Sequence, residues 1–343
     1  MIFGCGALER VGEEIRNLGA RRALVLSTPE QRSSAEEVAA ILGPLGAGIF
    51  SRAVMHVPIE TAREAREVAR ALGADCAVAI GGGSTTGLGK AIALDSGLPV
   101  IAIPTTYAGS EVTPIYGITE AGVKKTGRDA KVLPRCVLYD PELTLGLPAG
   151  LSITSGINAI AHAAEGLYST DGNPVMDLMA LEGIAALARS LPAIHAEPRD
   201  IDARSQALYG AWLCGTVLGN VGMALHHKLC HTLGGSFNLP HAETHTIVLP
   251  HALAYNAPAA PLAMQRIAAA LGASDAAQGA FDLAQRNGAP TALRDIGMRK
   301  DDLERACELA LQNQYPNPRP LETGAIRQLL DDAYEGRRPR PAS

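Results

Sequence analysis

Up to Pro148 the chain alternates short apolar runs with helical stretches, and beyond it the apolar runs stop. RALVLS from Arg22, AGIF ending at Phe50, CAVAI from Cys76 and PVIAIP from Pro99 have the length and content of buried strands. Between them lie AEEVAAILG and PIETAREAREVARALGA; in the latter Ala65, Val68, Ala69 and Leu72 mark one helical face while Arg and Glu fill the other. Strands joined through helices of this length pair in parallel, and a parallel sheet needs helices on both faces. The basic stretch AGVKKTGRDAKVLP reads as a hairpin or loop over the sheet's edge, and the Pro- and Gly-rich VLYDPELTLGLPAG as the approach to a boundary near Pro148. From SITSGINAIAHAAEGLYS onward the spacing is helical, including DARSQALYGAWLCGTVLGNVGMALHHKLCHTLGG as one segment. The expected architecture is an α/β domain over 1–148 and an all-helical domain over 149–343, which suits a length of 343 residues.

A glycine run sits where CAVAI hands over to a helix, the place where parallel sheets bind ligands. Gly81, Gly82 and Gly83 bring bare backbone N–H groups to a phosphate, and Ser84 and Thr85 add hydroxyls where the helix dipole favours an anion. Thr105 and Thr106 end the next strand, and Lys124 supplies a nearby cation. The run is neither a GxGxxG fingerprint, since Thr86 replaces the third glycine, nor a Walker A loop, since Ser84 and Ala91 stand at two of its fixed positions. The plainer alternative is a tight strand-to-helix turn. Thr28, after the first strand, offers neither an acid for a ribose hydroxyl nor a fixed cation for a 2′-phosphate, which Arg32 could reach.

Of the nine histidines, six fall between His226 and His251. Asn158 and His162 are four apart in a helical pattern, as are His227 and His231, so each pair projects from one helix face and two such helices close a pocket. His241 follows Gly234, Gly235, Asn238 and Pro240, a loop that swings it back to the same place. His226 lies on the far side, in packing or at the surface, and Lys228 is turned about 100° from His227, which puts it at the rim. An amide or carboxylate with His at i+4 and two further histidines is a common metal-ligand pattern, but Asn158 is neutral and leaves the imidazoles without charge compensation. The alternative for each ring is an ordinary core histidine.

Composition removes other classes. A net charge of −5 gives no footprint for nucleic acid or an anionic membrane. No window reaches the ~18 apolar residues of a membrane helix, and MIFGCGALERVG is not a signal peptide. Cys5, Cys76, Cys136, Cys214, Cys230 and Cys307 lie dispersed in apolar contexts, as buried free thiols of a cytoplasmic protein do.

Taken together, GGGSTTGLGKAIAL, PTTYAGSEVTPIYGIT, KKTGRDAKVLPRCVLYDPELT, GINAIAHAAEGLYS and HHKLCHTLGGSFNLPHAETH resemble the iron-containing alcohol dehydrogenase superfamily over nearly the whole chain. The resemblance implies the dehydroquinate synthase-like fold, NADH or NADPH as cofactor and a homodimer. Metal-dependent members carry Asp at the positions of Asn158 and Gly87; the branch that reduces maleylacetate is similar to this chain at both. The chain opens at MIFGCG, shorter than the family's usual start, so a trimmed or mis-started first strand is expected. In that branch the carbon–carbon double bond of maleylacetate is reduced to give 3-oxoadipate, late in bacterial degradation of aromatic compounds. The resemblance thus implies a catalytic set of Asn158, His162, His227, Lys228, His231 and His241, with no metal required. The imidazoles would meet enolate charge and move a proton, and Lys228 would anchor a substrate carboxylate. Two other readings remain: a metal-dependent alcohol or polyol dehydrogenase that tolerates Asn158, and a nucleotide-binding relative without catalysis.

Overall fold

The alternation in the first half takes the form of a six-stranded, all-parallel sheet in the computed structural model, which describes residues 1–121 and 123–340 except the side chains of Val123 and Lys124. In chain order the strands are β1 (Ile2–Phe3), β2 (Ala23–Leu26), β3 (Gly46–Phe50), β4 (Cys76–Gly81) and β5 (Val100–Pro104), then the hairpin β6 (Ile115–Glu120) and β7 (Val123–Arg128), then β8 (Cys136–Tyr139). The sheet order is β1-β8-β5-β4-β2-β3, and the hairpin stands apart as a two-stranded sheet. Packing divides the chain into Met1–Leu147 and Pro148–Ser343.

Every residue of β2, β4 and β5 is buried, because both faces of the sheet are covered. The period-two alternation of side chains then sorts each strand into two cores. Val25, Val78, Ile80, Ile101 and Ile103 pack with Ile15 of α1 (Val11–Asn17) and Val38 of α2 (Arg32–Leu42). Leu24, Leu26, Ala77 and Ala79 pack with Ala65 of α3 (Ile59–Ala71) and with Leu88 and Ile92 of α4 (Gly83–Ser96). The hairpin does not lie over the sheet's edge: Ile118 packs against the α3 and α4 side, and Lys90 of α4 donates to the carbonyl of Ile115 at 2.8 Å. The strand CVLY was hidden from the sequence reading by the Pro- and Gly-rich residues that follow it. It pairs with both β1 and β5, and Asp140 caps the turn beyond it.

Among the described residues the second unit is nine helices: α5 (Ala149–Gly166), α6 (Pro174–Ala196), α7 (Ile201–Asn220), α8 (Leu225–Phe237), α9 (His241–Asn256), α10 (Pro261–Leu271), α11 (Ala276–Arg286), α12 (Leu303–Leu311) and α13 (Thr323–Glu335). The segment read as one long helix breaks between Asn220 and Leu225, and the chain turns by 96° into α8. Gly222 holds the break through its N–H to Asp171 at 2.8 Å, while Ala224, at the N-terminus of α8, has no side chain with which to cap it. No single helix among the described residues is long and apolar enough to cross a membrane. Five cysteines are buried free thiols as expected; the sixth, Cys5, is exposed, since it lies in the turn after the two-residue strand β1.

Candidate active site

In the first unit the strand-to-helix turn has room for backbone only. Gly81 holds φ +147°, and a Cβ there would lie 2.6 Å from Thr85 Oγ1; one on Gly82 would lie 3.0 Å from Thr106 Cγ2. The first-turn N–H groups of α4 have no intrahelical acceptor, and the Thr85 hydroxyl is buried without a partner. Thr105 closes the cradle from β5, donating its N–H to the Gly81 carbonyl at 3.2 Å and accepting from Gln31 Nε2 at 2.7 Å. Glycine backbone, helix N-terminus and orphaned hydroxyl together fit the pyrophosphate of a dinucleotide. Thr28 lies half-buried just beyond β2, and the side chain of Lys124 is outside the described residues.

Two neighbours have structural work. Lys90 is buried and donates to Ser110 O at 2.6 Å, Thr113 Oγ1 at 2.8 Å and Ile115 O at 2.8 Å. Burial pushes its ammonium down to about 7, against the opposing charge of Glu111. Gly87 lies under a turn in which His56 (φ 65°) and Val57 (φ 46°) are left-handed, so a Cβ at Gly87 would meet Val57 Cγ2 at 2.8 Å. Thr119 fastens that turn through its N–H to Val57 O at 3.0 Å and its hydroxyl to His56 O at 2.8 Å.

In the second unit the imidazoles do gather. Asn158 and His162 lie buried on one face of α5, and the His162 ring is 5.1 Å from that of His227 on α8. His231 follows on α8 with its ring 6.0 Å from His227, and its Nδ1 is 3.0 Å from Tyr315 Oη. The loop before His241 is shorter than expected, because Gly234 and Gly235 lie within α8; Pro240 sets the N-terminus of α9 and His241 is its first residue. Its ring meets His245, one turn on, at 4.3 Å. Of the two places expected for His226, packing or surface, it takes the first: it is fully buried, and its Nε2 shares a 2.9 Å hydrogen bond with His245 Nδ1. The first turn of a helix that ends against other helices has no solvent side, which is why the far face of α8 is interior. Lys228 is half-buried, its Nζ 5.9 Å from the centre of the Tyr315 ring.

Glu165, absent from the sequence-derived set, organises the cluster. Fully buried on α5, its carboxylate accepts from the N–H of Ala224 at 2.8 Å, the N–H of His226 at 2.7 Å and His227 Nδ1 at 2.7 Å. It thereby caps α8 in place of a side chain on Ala224 and fixes His227 with its Nε2 directed away from the carboxylate. Asn158 Oδ1, His162 Nδ1, His227 Nε2 and His245 Nε2 are buried with no protein partner. Burial, reinforced by neighbouring imidazoles, holds His162, His226 and His245 well below the usual imidazole value, so these rings are uncharged.

A divalent cation is a poor match to these side chains. The motif set Asn158, His162, His227 and His241 contains no anion. Among the described residues the ligand atoms that do converge, within 4.8 Å of one another, belong to His226, Cys230 and His245. There the two nitrogens already share a hydrogen bond, and burial with the charge of Glu165 holds the Cys230 thiol well above its usual value. That trio is a hydrogen-bonded core rather than a thiolate site. His245 was legible in principle: HAETH has the same four-residue spacing that marked the other two pairs. Glu165 and Tyr315 carried no such signal.

Residues 1–141 match the iron-containing alcohol dehydrogenase family, and residues 152–334 match the C-terminal part of the Fe-containing alcohol dehydrogenase family. Over 339 residues the chain is 66% identical to maleylacetate reductase of Burkholderia cepacia, covering 99% of this chain and 96% of that one. The crystal structure of maleylacetate reductase from Rhizobium sp. strain MTP-10005 superposes with a TM-score of 0.94 at 58% identity, covering 98% and 96% of the two chains. That of an iron-containing alcohol dehydrogenase from Corynebacterium glutamicum superposes with a TM-score of 0.94 at 44% identity, covering 98% and 95%. With its parallel sheet, its glycine turn and its histidine-lined helical half, this chain belongs to the iron-containing alcohol dehydrogenase family of oxidoreductases.

Proposed function

We propose that this chain is a maleylacetate reductase, reducing the carbon–carbon double bond of maleylacetate to give 3-oxoadipate with NADH or NADPH and without a required metal. The observation that carries the reading is the set of buried, unpartnered polar atoms on Asn158, His162, His227 and His245, in which no carboxylate is available to a cation. The bound nicotinamide supplies a hydride. Everything else falls to the chain's own residues. The Gly81–Ser84 turn holds the pyrophosphate. The imidazoles present fixed dipoles where the ketone oxygen gains negative charge, the task that a metal performs elsewhere. His231, oriented by Tyr315, and His241 are placed to move the proton that the reduced carbon takes up. A neutral cluster also suits a dianionic substrate better than an aspartate at position 158 would, and Lys228 adds a cation at the rim.

In the same reading the protein is a cytoplasmic homodimer that binds neither nucleic acid nor membrane. Six free thiols support the compartment, and the exposed apolar side chains Val175 and Leu178 on α6 and Leu262 on α10 support self-association.

The test is oxidation of NADH or NADPH by the purified protein with maleylacetate, with and without a chelator. Undiminished turnover in chelator is expected, and Asn158→Asp should gain metal affinity while losing reductase activity. Activity that disappears in chelator and returns with iron or zinc would overturn the metal-free reading.

A further inference from the structure

His245 is the ring that the others surround. Its centroid lies 4.3 Å from His241, 4.8 Å from His226, 5.0 Å from His227 and 6.2 Å from His162. Its Nδ1 is engaged by His226 Nε2 at 2.9 Å, whereas its Nε2 is buried without a protein partner. Such an atom marks a place meant for a ligand.

The neighbours decide what that nitrogen offers. His227 is engaged through its Nδ1 by the Glu165 carboxylate at 2.7 Å. In the His226–His245 pair one proton is shared. If it sat on His245 Nδ1, neutral His226 would carry a second proton on its Nδ1, which is buried and has no acceptor. Either placement leaves one buried N–H without a protein partner, on His226 Nδ1 or on His245 Nε2, and an oxyanion beside His245 selects the second, with the shared proton on His226 Nε2. His245 then accepts at Nδ1 and carries its own proton on Nε2. An oxyanion would satisfy that donor.

Resting on the reductase reading above, we propose that His245 is a catalytic residue whose Nε2–H donates to the substrate's ketone oxygen as it becomes an enolate, and that His226 is the positioning residue that keeps the proton on that nitrogen. The reduced nicotinamide gives a hydride to the alkene carbon remote from the ketone and is oxidised. The alkene pair moves next to the carbonyl carbon and the carbonyl pair moves to oxygen. The carbon between them then takes a solvent-derived proton and the ketone re-forms. The Nε2 proton stays on His245, so one hydride and one proton are consumed per turnover.

The experiment compares His245→Gln, whose amide N–H falls near the place of Nε2, with His245→Asn, whose amide falls near Nδ1, and with the donor-free His245→Leu, in chelator with maleylacetate and NADH. The expected kcat losses are roughly 100-fold or more for Leu and Asn, and at least tenfold smaller for Gln, with KM for NADH changed less than about twofold in all three. His226→Leu should lower kcat by about tenfold and His226→Gln, which keeps a donor to His245, should restore it. Melting curves separate packing damage from the donor's effect, because Gln and Asn are equally foreign to the core. Equal kcat in the Gln and Asn variants, or a Leu variant at the unmodified rate, would overturn the role of His245 while leaving the reaction in place. No turnover by the unmodified protein would overturn the reductase reading, and this proposal with it.

Discussion

The glycine turn and the imidazole cluster are opposite solutions to binding charge. The first is local: four consecutive residues, Gly81 to Ser84, present main chain to an anion, and a Cβ at Gly81 or Gly82 would fill the space. The second is assembled from α5, α8 and α9 together with Tyr315, and it works through side chains whose charge has been suppressed by burial. A backbone site tolerates no added atom. A side-chain site depends on the residues behind it, and here Glu165 is the one behind.

Changes at both places sharpen or break this contrast. Glu165→Ala should have the largest effect, because it removes a buried charge with three partners and leaves α8 uncapped. A loss of about 3 kcal/mol or more in unfolding free energy, read by urea titration, is expected. A loss near zero would mean that the cluster holds itself together. Next come His231→Ala and His241→Ala, each expected to lower kcat by about 100-fold, since they act in proton movement; near-normal kcat in both would make those rings structural. Gly82→Val should follow, raising the KM for the nicotinamide cofactor by roughly tenfold with little change in the substrate's, since the valine meets Thr106 and fills the phosphate's place. The smallest effect belongs to Lys228→Ala. An anchor that holds substrate and transition state alike should raise the substrate's KM by a few-fold, about 1 kcal/mol, and leave kcat nearly unchanged.

The same contrast explains what was legible. RALVLS and CAVAI read as strands because both faces of β2 and β4 are buried, so every position must be apolar or small. The glycine turn declared itself by composition at a known kind of junction. The histidine cluster could be located by its density, yet the rank of its members could not. His226 lies on the helix face opposite the one the spacing favoured, and it is interior because α9 packs there and brings His245. His241 seemed to need a loop since Asn238 and Pro240 precede it, but those residues end one helix and start the next. Glu165 was invisible as a cap because the helix it caps lies some sixty positions away, and Tyr315 reaches His231 across 84 residues.

The turn at His56 and Val57 limits what position 87 can accept. Valine in a left-handed backbone is strained, and here its Cγ2 occupies the space a side chain at position 87 would need. An aspartate at position 87 would therefore force Val57 to shift. Val57→Gly would clear that obstruction and relieve the strained backbone at once, so the order in which the two changes arrive decides whether the second is harmful or harmless.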